Sequence, residues 1–290
     1  MNQAQKISGV EAQFLQSLYD YGYLTVKQLV RLHYSPTVVN YAREQLTKLE
    51  KKDYIMHTFL SRHTQAGRSP SVYTLANNGI KYLEQTGLDA PSRFRPSEVS
   101  DLSYDYLEHT LAINDFLICA ALLEKEAPDY PLLEFRHERL LKKEPVYITS
   151  QGKKIGVILD SWLKFQLPTG NTLAIGLELD RGTRDVSSFK RKLRHLLAFI
   201  NGPYQQHFHT QHITIAFAAR CKTPDQTSRR ATVLHQWTQE VLTEENREDD
   251  NIYFFFCALP QENISPTWLF REPSWIMPFD TSAQILIEDA

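Results

Sequence analysis

Two carboxylates one residue apart end an apolar run in the segment GLELDRGTRD, residues 176–185. Alternation along residues 171–180 puts Glu178 and Asp180 on one face of a strand, at the carboxyl end where sites on sheets are commonly built. Asp160 interrupts the preceding apolar run, KIGVILDSWLKF. An aspartate in a strand interior is unfavourable unless it has a partner or a role. These residue types point to a site for a hard divalent cation.

The loop QLPTGN between the two runs predicts a hairpin that sets Asp160 beside Glu178. Two carboxylates at one sheet edge supply the hard oxygen ligands that Mg²⁺ or Mn²⁺ prefers. The following segment, TRDVSSFKRKLRHLLAFI, predicts a helix whose Lys190 and Lys192 flank its apolar stripe and can extend toward the sheet end. For Asp180 the alternative is an ion pair with a neighbouring arginine and a helix cap.

Composition excludes several function classes. The three cysteines form no CxxC pair for a zinc site, and the dense histidines His207, His209 and His212 have no nearby Cys or acid to complete a tetrahedral set. The sequence has no phosphate-binding Gly-rich loop, GxSxG or GxGxxG, which argues against an ATPase, a serine hydrolase or a nucleotide-cofactor enzyme. Without a signal peptide or membrane span, we expect a reduced, cytoplasmic protein.

Charge is divided unevenly along the 290 residues. Residues 1–90 carry 10 Lys and Arg against 7 Asp and Glu, whereas the remaining 200 residues carry 22 against 27. A local basic excess hidden in a chain of net charge −2 is compatible with nucleic-acid binding by the first part alone. We therefore expect two domains, at residues 1–90 and 102–290, joined by a linker at 91–101.

The first ninety residues predict three helices, a hairpin and a closing helix. Thr25 caps the second helix, and Ser35-Pro36 starts a third helix with apolar residues every three or four positions. This order looks like a winged helix-turn-helix, whose third helix enters the major groove of duplex DNA. The residues expected to contact DNA are Thr37, Asn40, Tyr41, Arg43, Glu44 and Lys48 on that helix, with Arg62 and Arg68 on the wing. The alternative is an ordinary solvated helix face that pairs with protein.

The second part predicts a long apolar helix, three strands, a helix, a strand, a helix and a strand. The strand-like runs are LLEFRHERLL, KIGVILDSWLKF, NTLAIGLELD, HITIAFAA and NIYFFFC. Their order predicts an α/β (α+β) sandwich around a mixed central sheet.

This order resembles the PD-(D/E)XK restriction-endonuclease-like superfamily. In that superfamily two acids bind a divalent metal, and a lysine two residues after the second acid helps to activate water. The resemblance implies metal-binding roles for Asp160 and Glu178. Asp180, a further candidate catalytic residue, stands where the lysine is expected, so catalysis requires Lys192, or Lys190, to reach in from the next helix. Glu108 is a weaker candidate for a third acid.

More specifically, HTLAIND, EFRHERLL, VILDSWLKF and LELDRGTRDVSSFKRKL are similar to the replication-relaxation family of bacterial plasmid and mobile-element proteins. The resemblance covers roughly residues 10–220. It implies a DNA-binding protein of plasmid or mobile-element replication, mobilisation or regulation, whose nuclease-like domain acts as a non-catalytic binding or recruitment module. The alternative is a DNA endonuclease or nickase that uses Mg or Mn with Asp160, Glu178 and Lys192. The expected partners are double-stranded DNA, proteins of a replication, transposition or defence complex, and a second copy of the chain. We expect no membrane partner.

Overall fold

The computed structural model describes residues 7–60, 70–87, 102–150, 152–210 and 212–288. The chain forms two compact units, residues 1–118 and 119–290. Helix α5, Tyr104–Glu126, contributes residues to both units. The segment 91–101 predicted as a linker lies outside the described residues, and the division into domains at 1–90 and 102–290 stays a prediction.

The first unit contains the helices and the hairpin in the predicted order. Its elements before α5 are α1 (Gly9–Tyr21), β1 (Leu24–Thr25), α2 (Val26–His33), α3 (Val39–Lys51), β2 (Ile55–Phe59), β3 (Ser71–Leu75) and α4 (Asn77–Gln85). The strands form an antiparallel sheet in the order β1-β3-β2. Arg62 and Arg68, predicted at the tip of the hairpin, lie outside the described residues.

The helix starts follow local capping chemistry with one departure from the prediction. Thr25 caps α2, and its side chain accepts a hydrogen bond from the Gln28 N–H. Ser35-Pro36 does not start α3, because residues Pro36–Val38 form a separate 3-10 turn and α3 begins at Val39. Thr37 therefore lies in that turn, where its hydroxyl is 2.8 Å from the Ser35 hydroxyl.

The core of the first unit is built from the apolar faces of its helices. Buried side chains include Phe14, Leu15, Leu18, Ala42, Leu46 and Leu49. The beginning of α5 belongs to this unit as well. The Asn114 amide donates to the carbonyl oxygens of Tyr21 (3.1 Å) and Tyr23 (2.6 Å). Asn114 thus satisfies backbone acceptors within the first unit, as a buried polar side chain must.

The second unit has mixed α/β architecture. After α5 its elements are β4 (Leu132–His137), α6 (Glu138–Leu141), β5 (Val146–Ser150), β6 (Lys153–Val157), β7 (Ser161–Gln166), β8 (Thr172–Asp180), α7 (Val186–Ile200), α8 (Pro203–Phe208), β9 (Ile213–Ala219), α9 (Pro224–Glu244), β10 (Phe254–Ala258) and α10 (Pro266–Arg271). Five strands form one mixed sheet in the order β10-β9-β8-β7-β4. Strands β8, β9 and β10 run parallel to one another. Strand β7 is antiparallel to both of its neighbours, β8 and β4.

Three strand predictions are wrong in their extent. The run NIYFFFC begins in a 3-10 helix, Glu248–Tyr253, and only its last four residues belong to β10. The run LLEFRHERLL ends as a strand at His137 and continues as helix α6. The run KIGVILDSWLKF is two strands, because β6 pairs with β5 in a separate hairpin whereas β7 pairs with β4 and β8 in the main sheet. Asp160 lies in the connection between β6 and β7 and is not in the middle of a strand.

Helix α7 covers the end of the sheet that carries the acids. Its predicted apolar stripe is buried in the core of the second unit and consists of Phe189, Leu193, Leu196, Leu197 and Ile200. The same core includes Trp162, Phe217 and Leu234 from β7, β9 and α9. Packing of this stripe fixes which way the polar side chains of α7 point.

Helix α5 is long and apolar enough to span a membrane, by length and composition alone. However, 67% of its most apolar 18-residue window is buried inside the protein. That burial is what a core helix requires.

Gly79, in α4, lies against the backbone of the first unit. A Cβ at this position would meet the Tyr54 carbonyl oxygen at 2.2 Å. We expect Gly79→Ala to destabilise the protein by about 1–3 kcal/mol, because the clash with rigid backbone outweighs the gain of about 1 kcal/mol in helix propensity. Denaturant unfolding measures the change.

The matched control is Gly9→Ala in the first turn of α1. A Cβ there has no neighbour within 4 Å among the described residues. The control should leave stability unchanged or slightly higher. Equal effects of both substitutions would contradict the steric argument.

Candidate functional site

Asp160 lies beside the carboxyl end of β8, as the hairpin argument predicts. Its N–H donates to the Leu177 carbonyl at 3.1 Å, and its Oδ2 accepts the Leu179 N–H at 2.8 Å. Its own carbonyl oxygen accepts the Glu138 N–H at 3.0 Å. Two of these hydrogen bonds hold Asp160 against Leu177 and Leu179, which flank Glu178, and the third joins it to the start of α6.

Glu178 is the most deeply buried acid of the site, with 1% of its surface exposed. Its Oε2 accepts a charge-assisted hydrogen bond from the Lys192 ammonium and lies 3.8 Å from Nη1 of Arg184. Its Oε1 is buried and has no hydrogen-bond partner among the described residues. A buried, unsatisfied carboxylate oxygen is unusual, because such an atom loses its hydration without compensation.

Burial dominates the protonation of Glu178 and raises its pKa to about 7. The positive charge of Lys192 lowers this pKa, the negative charge of Asp160 raises it, and Arg184 lowers it further. The effect of Asp160 shows that the two acids are close enough to interact electrostatically. Glu178 is thus a carboxyl whose charge depends on the ions placed beside it.

The two lysines of α7 have different environments. Lys192 reaches Glu178, whereas Lys190 faces α9 and forms ion pairs with Glu240 and Glu244, both at 2.8 Å. Of the two lysines considered from the sequence, the structure therefore brings Lys192 to the acids and directs Lys190 away from them.

Asp180 makes an ion pair that the sequence pattern did not identify. Arg230 of α9 binds it with two parallel hydrogen bonds, Nε to Oδ1 at 2.7 Å and Nη2 to Oδ2 at 3.0 Å. The Gly182 N–H also donates to Oδ1 at 2.7 Å, and Arg230 Nη2 donates to the Arg184 carbonyl at 2.6 Å. Both oxygens of Asp180 are engaged, and the contacts tie down the turn that carries Arg184.

The helix cap proposed for Asp180 belongs to Asp185. Its Oδ1 accepts the Ser188 N–H at 2.9 Å at the start of α7. Hydrogen bonds from the Ser188 N–H and from the hydroxyls of Ser187 and Ser188 lower the pKa of Asp185 to about 2. The ion-pair interpretation of Asp180 is correct in kind, but its partner is Arg230, 50 residues later, and no local pattern could identify it.

Asp160 and Glu178 are the two carboxylates that would hold a divalent cation here. Mg²⁺ commonly takes one or two protein carboxylates and fills its other positions with water and phosphate oxygens. The unpartnered Oε1 of Glu178 offers a free ligand oxygen beside Asp160. Across the described ranges, no set of three or more His, Cys, Asp or Glu side chains is placed to hold a metal together.

Glu178→Gln should change how stability depends on pH. The folded-state pKa of about 7 exceeds the usual 4.5, so this group stabilises the wild type fully only below about pH 4.5 and the contribution is lost as pH rises through 7. Glutamine does not ionise, so the variant does not lose stability in this way as pH rises. The difference in unfolding free energy, variant minus wild type, should increase by up to about 3 kcal/mol between pH 5 and pH 8.

Denaturant unfolding at several pH values measures this difference. Glu240→Gln is the control, because Glu240 is 54% exposed and pairs with Lys190 at the surface. Its difference from wild type should stay nearly flat over this range. A flat profile for Glu178→Gln would mean that Glu178 stays ionised throughout the range.

Comparison with solved structures gives a match to restriction endonuclease FokI at 11% identity and a TM-score of 0.22, covering 85% of this chain and 47% of that chain. This chain therefore spans about half the length of that enzyme, and a TM-score this low supports no argument about a shared fold or activity. A search of curated protein sequences gave no significant match.

A family model described as replication-relaxation matches residues 15–215, which is more than half of the chain. The match includes Asp160, Glu178, Asp180 and Lys192, and the chain belongs to the replication-relaxation family.

Proposed function

We propose that this protein binds duplex DNA during plasmid or mobile-element replication and cleaves a phosphodiester bond at a metal site formed by Asp160 and Glu178. The observation that carries the proposal is the contact between the Lys192 ammonium and the Glu178 carboxylate. The PD-(D/E)XK pattern has a lysine at the position that Asp180 occupies here. In the proposal, Lys192 of α7 contacts Glu178 and supplies the missing positive charge. Family membership agrees with a role in replication.

Asp160 and Glu178 would hold Mg²⁺ or Mn²⁺, which polarises a phosphate and lowers the pKa of a bound water. Asp160 is already oriented by the Leu179 N–H. Glu178 would hold the ion through Oε1, which has no partner among the described residues, and Oε2 is in contact with Lys192. Lys192 and Arg184 then supply positive charge for the phosphate oxygens, where charge develops during cleavage.

Asp180 has a positioning role in this proposal. Its bidentate pair with Arg230 leaves it no free oxygen for a metal, and it fixes the turn that leads from Glu178 to α7. The predicted catalytic role of Asp180 is therefore replaced by a structural one in the proposed mechanism.

A second candidate function is a non-catalytic binding or recruitment module. It is favoured by the same Asp180–Arg230 pair, because the position of the nuclease lysine is occupied by an acid that is already neutralised. In this alternative Lys192 serves only to compensate the buried Glu178. Partner proteins of a replication, transposition or defence complex would then dock on the acidic second part of the chain.

The first unit is proposed to be a winged helix that binds duplex DNA through α3. Asn40, Tyr41, Arg43, Glu44 and Lys48 of α3 and Thr37 before it are all exposed, whereas Ala42, Leu46 and Leu49 face the core. An exposed polar face opposite a buried stripe is what a recognition helix requires. We further propose a cytoplasmic protein that acts as a homodimer on two half-sites.

Cleavage of supercoiled plasmid in Mg²⁺ or Mn²⁺ tests the catalytic proposal. Asp160→Asn, Glu178→Gln and Lys192→Met should each lower the nicking rate by about 100-fold or more, because each removes a ligand or a charge at the reacting phosphate. The matched control is Lys190→Met, two residues away on α7 and paired with α9, which should nick at nearly the wild-type rate. Absence of nicking by wild type, with DNA binding intact, would favour the recruitment module.

DNA binding by the first unit is tested with Arg43→Ala and Lys48→Ala. Each should weaken binding to all duplexes and reduce the slope of log K against log salt by roughly 0.9, the value expected for one phosphate contact. Lys81→Ala, an exposed lysine on α4, is the control. An unchanged slope in both test variants would remove α3 from the DNA interface.

A further inference from the structure

The hairpin of β5 and β6 is a small two-stranded sheet of the second unit. Tyr147 pairs with Gly156, and Thr149 pairs with Lys154, across the two strands. Within the described part of the chain, neither strand joins the five-stranded sheet. The hairpin therefore presents one face to the protein and one to solvent.

The two faces differ sharply in chemistry. On the inner face Val146, Ile148 and Val157 are buried in the core of the second unit together with the stripe of α7. The outer face, defined here as Tyr147, Thr149, Lys154 and Gly156, is exposed. Tyr147 keeps 49% of its surface exposed, which is unusual for so large an aromatic side chain.

Tyr147 and Lys154 form a unit on the outer face. The Lys154 ammonium lies 4.2 Å from the centre of the Tyr147 ring. The opposing residue is glycine, and a Cβ there would lie 3.6 Å from Cε1 of Tyr147, so the ring rests beside bare backbone. An exposed ring next to a cation matches the way proteins contact nucleic-acid strands, with charge on the phosphates and an aromatic face on sugar or base.

The lysines of the hairpin also lack acidic partners. Among the residues that the structure describes, no carboxylate forms an ion pair with Lys154 or with the neighbouring exposed Lys153. Lys190 and Arg194 of α7 differ from them, since both pair with glutamates of α9 and its C-cap. Lys154 on the outer face and Lys153 at the start of β6 are both exposed, so their charges are accessible to an external anion.

The position of the hairpin connects this surface with the candidate site. Strand β6 ends at Val157, three residues before Asp160, and the inner face packs with α7, which carries Lys192. We infer that the outer face and Lys153 bind the backbone of the DNA strand that enters the Asp160–Glu178 site. Lys153 and Lys154 contact phosphates, and Tyr147 packs against a deoxyribose or an unstacked base. This inference rests on the proposed function, because it identifies how the same site holds its substrate.

The test uses the full chain and a fluorescently labelled 30-base-pair duplex, with affinity measured by anisotropy at several salt concentrations. Lys153→Ala/Lys154→Ala should reduce the slope of log K against log salt by roughly 1.8, at about 0.9 for each phosphate. Lys153→Arg/Lys154→Arg should keep the slope. Tyr147→Ala should weaken binding roughly tenfold, whereas Tyr147→Phe should retain it, because the ring and not the hydroxyl makes the contact.

Lys125→Ala is the matched control, since Lys125 is an exposed lysine near the end of α5. Hairpin variants that keep wild-type affinity and salt slope would overturn the inference even if the protein nicks DNA. An equal loss in Lys125→Ala would also overturn it, because the effect would then be one of overall charge. A reduced slope in the hairpin variants combined with no nicking by wild type would support the hairpin as a DNA contact and reject the proposed catalysis.

Discussion

Burial of the Glu178 carboxylate at the end of β8 is the constraint on which the site depends. A charge placed almost completely out of water is costly, and it is tolerated only with a close partner of opposite charge. Lys192 supplies that partner from α7, and Arg184 adds a second positive charge from the turn between them. The apolar stripe of α7 must therefore pack in one orientation, because any other rotation would carry Lys192 away from Glu178.

Two acids on one face of β8 differ in how fully their carboxylate oxygens are hydrogen-bonded, because their surroundings differ. Asp180 is satisfied by a bidentate arginine and a backbone N–H, so it stabilises the turn and has no oxygen to offer. Glu178 keeps one oxygen without a partner among the described residues, next to the negative charge of Asp160. In the proposed function this oxygen of Glu178 is the one available to a metal.

The neighbourhood of this carboxylate explains why the proposed function joins a metal and DNA. With its pKa near 7, Glu178 responds to any cation that approaches its open oxygen. In the proposal, Lys153 and Lys154 of the β5–β6 hairpin supply positive charge to the substrate of this site. Acids that attract a metal and lysines that attract phosphate are complementary requirements of phosphodiester chemistry.

The sequence by itself determined the order of α5, the main-sheet strands and the helices α7 and α9, the strand carrying Glu178 and Asp180, the hairpin that brings Asp160 beside it, and the buried stripe of α7. These follow from periodicity and turn residues, which act over a few positions. The sequence misplaced the start of α3 and the break at Asp160, where a 3-10 turn and a change from one sheet to another interrupt a continuous apolar pattern. Only the tertiary structure decided that Lys192 and not Lys190 reaches Glu178, and that Arg230 neutralises Asp180. Both outcomes depend on how α7 and α9 pack on the sheet, and that packing joins residues 14 and 50 positions apart, which no local pattern specifies.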